Sequence, residues 1–136
     1  ALSAVGKLVD AKNEFALAAT IDAVGSLLVD DEERVRKRAL EVLAELVGPG
    51  SKDERVINML LPCLSYQHTI RRIGIGIRIV GLEALARLCS GDDPRVIGGV
   101  EGLLEDGVQS VRAAAVEALS HLSVRGDTRM IVRIID

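Results

Sequence analysis

Two histidines, two cysteines and two glycine-rich stretches are the places where this chain could carry chemistry. His68 and His121 stand far apart, and neither is followed by a glutamate, so they form no metal-ligand or acid–base pair by spacing. Cys63 and Cys89 match no metal-binding pattern and are expected to be small buried hydrophobes. Gly48-Pro49-Gly50-Ser51-Lys52 has the composition of a phosphate loop but not its order of Gly, a four-residue spacer, then Gly-Lys-Ser/Thr. Gly74 and Gly76 do not complete a dinucleotide fingerprint, because the next glycine is Gly81 and no strand precedes them. No serine, cysteine or carboxylate pair has a base at meaningful spacing. The expectation is a chain with no catalytic, metal or cofactor residues.

Composition narrows the class. Of 136 residues, 49% are hydrophobic, enough to bury a core, yet there is one Phe (Phe15), one Tyr (Tyr66) and no Trp. Aliphatic and small side chains in place of aromatics suit thin layers of closely packed helices. A net charge of −3 argues against binding a phosphate backbone, which calls for a basic face. No apolar run is long enough to span a membrane, and no charged-then-apolar leader precedes the first repeat. The chain is therefore expected to be soluble and intracellular, without direct membrane insertion, although a start at Ala1 leaves a removed leader open.

The elements that would position any site are repeated. Asp53-Glu54-Arg55-Val56-Ile57, Asp93-Pro94-Arg95-Val96-Ile97 and Asp127-Thr128-Arg129-Met130-Ile131 share the pattern Asp-x-Arg-apolar-Ile, at similar steps along the chain. A second family of segments lies between them. Val35 to Leu46, Ile77 to Leu88 and Val111 to Leu122 align with one another at similar steps. Each carries apolar residues at helical spacing, as in Val111, Ala115, Leu119 and Leu122. The Asp segments open the other helix of each pair. Their apolar stripes are Thr20, Ile21, Val24, Leu27, Leu28; then Val56, Ile57, Leu60, Cys63, Leu64; then Val96, Ile97, Val100, Leu103, Leu104. Asp suits an N-cap, Pro94 sits just inside one, and glycines punctuate the joints. Self-similarity at this period marks a stacked array.

The layout resembles the HEAT-repeat family, in particular its short form found in phycobilisome-lyase-type proteins. There Val-Arg-x-Ala-Ala-x-Glu-Ala-Leu runs to a Gly-Asp turn, as in Val111 to Leu119 and Gly126-Asp127. The tetratricopeptide and ankyrin signatures are missing. The resemblance implies an all-α, right-handed α-solenoid of stacked antiparallel helix pairs, armadillo-like, with the Val-Arg helices on its concave side. The expected units are a partial repeat over 1–9, repeats over 10–47, 53–89 and 92–123, and a partial repeat over 127–136, with an insertion at 65–76. Ragged ends imply a piece of a longer array, or an end that a partner covers. The helix from Asn13 is expected to carry about two extra turns, because Asp10 stands further from Thr20 than the other Asp caps do from the aligned position. By resemblance, Arg36, Arg78 and Arg112 belong to a polar ladder with the turn acids Asp31 and Asp106. Some members of the family hold iron through His-Glu pairs, and no such dipeptide occurs here.

Function follows as an expectation: a non-catalytic scaffold held in a larger assembly by protein partners. The residues pointing outward on the second helices are the candidate contacts: Lys37, Glu41 and Glu45; Ile79, Glu83 and Arg87; Ala113, Glu117 and His121. Their mixed charge favours a protein partner over nucleic acid. Ile70 to Val80 is apolar on two helical faces and also alternates as a strand would, so it reads as a helix filling its own repeat or as a partner contact through Ile75 and Ile79. Short repeats of this type also occur in bilin lyases, so the resemblance implies an alternative: a lyase or chaperone-like factor acting on a light-harvesting protein.

Overall fold

The structure, a computed structural model, describes the backbone of residues 2–125 and the side chains of residues 13–124. It is helical: α1 (Leu2–Gly25), α2 (Glu33–Val47), α3 (Glu54–Leu60), α4 (Arg71–Leu88), α5 (Pro94–Gly102) and α6 (Gln109–Arg125). The Asp127 copy of the motif and the unit expected over 127–136 lie outside the described residues. Among the described residues no helix is long and apolar enough to cross a membrane.

One local plan is used three times. α1, α3 and α5 each tighten into a 3-10 helix, at Ser26–Val29, Leu61–Ser65 and Leu103–Glu105. A short turn follows, and then α2, α4 or α6. Asp53 and Asp93 cap α3 and α5 as expected, accepting the backbone N–H of Arg55 at 2.8 Å and of Arg95 at 2.9 Å. Pro94 occupies the first turn of α5. The joint after α2 needs glycine, because Gly48 and Gly50 have φ of 76° and 73°. α1 departs from the plan. It crosses residue 10 without a break, so the helix expected from Asn13 is the later part of a longer one.

Residues 70–80 are helical from Arg71 onward, and the strand-like alternation is not used. The insertion expected over 65–76 places a turn at 66–70 and the first part of α4.

Packing joins successive units. α2 packs on α4 and α4 on α6, α3 touches α4, and α5 touches both α6 and the 3-10 helix after α3. The core is aliphatic, with Leu28, Leu43, Ile57, Leu60, Ile77, Leu82, Leu85, Leu88 and Leu122 fully buried. Burying each such side chain contributes roughly 1.5–3 kcal/mol. Cys63 and Cys89 are buried too, and burial pushes the Cys63 thiol up to about 11. Leu119 departs from the expected pattern. Ala115, Ala118 and Leu122 take the buried stripe of α6 while Leu119 is half-buried. The joints pair as well: Ser51 N–H donates to the Leu88 carbonyl at 2.7 Å, and the Ser51 carbonyl accepts from Ser90 N–H at 3.1 Å.

The three arginines form rungs whose hydrogen bonds go to turn carbonyls, and Arg78 also pairs with the carboxylate of a turn acid. Arg36 Nη1 donates to the carbonyls of Asp30 and Asp31 at 2.8 and 3.0 Å, and Arg112 Nη1 to that of Asp106 at 2.8 Å. The third rung, for which Ser65 to Gln67 supplies no acid, also exists. Arg78 Nη1 donates to the Tyr66 carbonyl at 3.4 Å. A backbone carbonyl at the turn is the acceptor, so no acidic residue is needed there. Arg78 Nε also lies 3.4 Å from Asp106 Oδ2, close enough for charge attraction but outside hydrogen-bond geometry.

Candidate interaction surface

Side by side, α2, α4 and α6 present the outward residues singled out above. Lys37 on α2 pairs with Glu33 at 3.0 Å, and Glu41 with Arg38 at 2.9 Å, all four exposed. Glu45 and Ala113 are also exposed. Ile75 and Ile79 are half-buried and packed against the core, because α4 lies between α2 and α6 and has neighbours on both sides.

Four of the expected residues meet in one place. Glu83 and Arg87 from α4 and Glu117 and His121 from α6 line a cleft of about 160 Å³, together with Ala86, Ala114 and Ala118. A second cleft of about 260 Å³ shares Ala86, Arg87 and His121 and extends over Ala44, Gly48 and Pro49. Together they make an open groove across three helices, shallow because alanines lie between the polar residues. Glu41, Glu45 and Ala113 line neither cleft.

The alanines of the floor are not conspicuous in the sequence. Part of their signal is nevertheless present, since Ala44 and Ala86 occupy one position of the aligned segments, whereas Ala114 and Ala118 align with Arg38 and Val42. Small residues recurring beside polar ones on a helix leave a trough.

Electrostatics in the groove are mixed. Partial desolvation by the flanking helices pushes the carboxyl of Glu83, an exposed residue, above its ordinary range. Lys37 and Arg87 pull it back, and the charges of Glu117 and Glu33 push it further up. Lys37 itself is held above its ordinary value by its hydrogen bond to Glu33. Among the described residues no group of three or more His, Cys, Asp and Glu is placed to hold a metal ion. No protein-family profile, no curated protein and no solved structure matches the chain.

Proposed function

We propose that the chain is a non-catalytic, HEAT-like α-solenoid segment that binds a protein partner along the face made by α2, α4 and α6. Support for the solenoid reading comes from the order of contacts. Like elements of successive units touch: α2 meets α4, α4 meets α6, and the joint at Ser51 meets the joint at Cys89. The observation that carries the binding reading is the groove, where Glu83, Arg87, Glu117 and His121 converge over an alanine floor. A trough open to solvent along its length fits a segment of polypeptide better than a small molecule, which is usually enclosed on most sides. The mixture of carboxylates and cations favours a partner surface of mixed charge.

Charge reversal tests this. Replacing Glu41, Glu83 and Glu117 together by Lys should abolish recovery of the partner that the wild-type chain retains, with helicity by circular dichroism unchanged. The same number of reversals at Asp22, Glu54 and Glu101, on the other set of helices, should leave recovery intact. Equal recovery with both triple variants would defeat the assignment.

A further inference from the structure

The three turns that lead into α2, α4 and α6 are closed by the same hydrogen bond, but not by the same chemistry. Asp30 Oδ1 accepts the backbone N–H of Glu32 at 2.8 Å, and Asp106 Oδ1 accepts that of Val108 at 2.9 Å. In the middle turn His68 takes the part of the aspartate: its Nδ1 accepts the N–H of Ile70 at 3.0 Å. In every case the donor is the residue just before the first residue of the helix, and the acceptor stands two positions earlier. A carboxyl group keeps an acceptor oxygen in either protonation state, whereas Nδ1 accepts only while it carries no proton.

The bond fixes the tautomer. A backbone N–H can only donate, so Nδ1 holds a lone pair and the proton of the neutral ring is on Nε2. Nε2 lies 3.0 Å from Asp31 Oδ1, in the turn before α2, and donates to it. One imidazole therefore closes its own turn and ties it to the preceding one. The His68 side chain is only 18% exposed, whereas Asp31 stands open to water.

We propose that His68 is a proton-operated latch that holds the start of α4 while neutral and releases it when the ring takes a second proton. Protonation sets an Nδ1–H against the Ile70 N–H, two donors 3.0 Å apart. The charged groups around the ring are Asp31, in the turn before α2 and 68% exposed, the Arg36 guanidinium, held on the Asp31 carbonyl, and Arg78 of α4, whose Nη1 lies, like His68, against the Cβ position of Gly74. Arg71 and Arg72 add positive charge in the first turn of α4. The cationic ring keeps Asp31, which remains a good acceptor, and lets Ile70 go.

The test is nuclear magnetic resonance on the ¹⁵N-labelled full chain, between roughly pH 8 and pH 5, the span in which imidazoles take up a proton. Long-range histidine spectra should show His68 as the Nε2–H tautomer at the upper end. Exchange of the Ile70 amide, corrected for its intrinsic pH dependence, should rise about five- to tenfold as His68 titrates, the amount expected for losing one hydrogen bond. Glu32 and Val108, held by carboxyls, should show no such step. His68→Asn places an acceptor oxygen near the Nδ1 position and should keep Ile70 protected at every pH. His68→Ala should leave it fast-exchanging throughout. An Nδ1–H tautomer, or an Ile70 amide whose protection is constant while His68 titrates, would overturn the proposal.

Discussion

Arg95 on α5 grips Glu54 on α3 with both arms of its guanidinium, Nη1 to Oε2 and Nη2 to Oε1, each at 2.8 Å. The same guanidinium returns to Asp93, the cap of its own helix, at 3.0 Å. The arginine of one Asp-x-Arg copy thus reaches the variable residue of the copy before it. The motif caps a helix and also ties that helix to its predecessor.

A double-mutant cycle on Glu54→Gln and Arg95→Gln should therefore give a favourable coupling that shrinks as salt is raised. The effect should be small, because both side chains are exposed. Hydrogen bonds from Arg95 hold the carboxyls of Asp93 and Glu54 below their ordinary range. Their contribution is thus present above the unfolded carboxylate range and fades as pH falls through the folded values. Chemical denaturation at several pH values would measure this. A coupling indifferent to salt and pH would contradict the geometry.

Gly76 should resist substitution for a reason unconnected with helix propensity. A Cβ there would collide with Arg36 Nη2 and stand 3.2 Å from its Cζ. Arg36 is buried and pinned to two carbonyls, so the guanidinium cannot retreat without losing them. Gly76→Ala should destabilise by about 1–3 kcal/mol. At Gly98 in α5 nothing lies within 4 Å of the Cβ position, and Gly98→Ala should stabilise by up to about 1 kcal/mol. Urea denaturation separates the two, and in an Arg36→Leu background the cost at Gly76 should shrink.

Leu43, Leu85 and Leu119 occupy one position of the repeated helix, but burial ranks them. Leu43 and Leu85 are 1% and 0% exposed, while Leu119 is half-buried. Truncation to Ala should cost roughly 2–5 kcal/mol at the first two and under about 2 kcal/mol at Leu119. Equal losses at all three would contradict the ranking.

Much of this is legible in the sequence, and the parts that are not share a cause. The Asp caps are readable because capping is local: a carboxylate reaches a backbone N–H two positions on. The buried stripes are readable from period alone. The arginine rungs look like pure ion pairs because the sequence displays side chains and hides the carbonyls that accept the hydrogen bonds of all three. Gly76 looks like a weak point in a helix, since its reason lies far back in the chain, in Arg36. His68 looks idle for the same kind of reason: its likeness to Asp30 and Asp106 is geometric, and the residue type conceals it. Of the groove, the polar residues can be found from the repeat and the alanine floor is easily passed over.

Glu83 gives the groove a signature in pH. Its carboxyl is raised chiefly by partial desolvation, so the folded chain takes up a proton there more readily than the unfolded chain. Stability from this site therefore falls as pH rises through the folded value and recovers as pH drops. Glu83→Gln should be more stable than the wild type near neutrality, and the difference should close on acidification. Parallel stability curves would show that the groove does not desolvate this carboxylate.

The central claim is that a protein partner lies along α2, α4 and α6, and site-specific photocrosslinking tests it most directly. A photoreactive residue at position 83, in the groove, should give a discrete covalent adduct that excess unlabelled chain competes away. The same residue at position 58, lining the concavity of Asp22, Arg55 and Met59 on the other helices, should give none. An adduct from position 58 with none from position 83 would contradict the account.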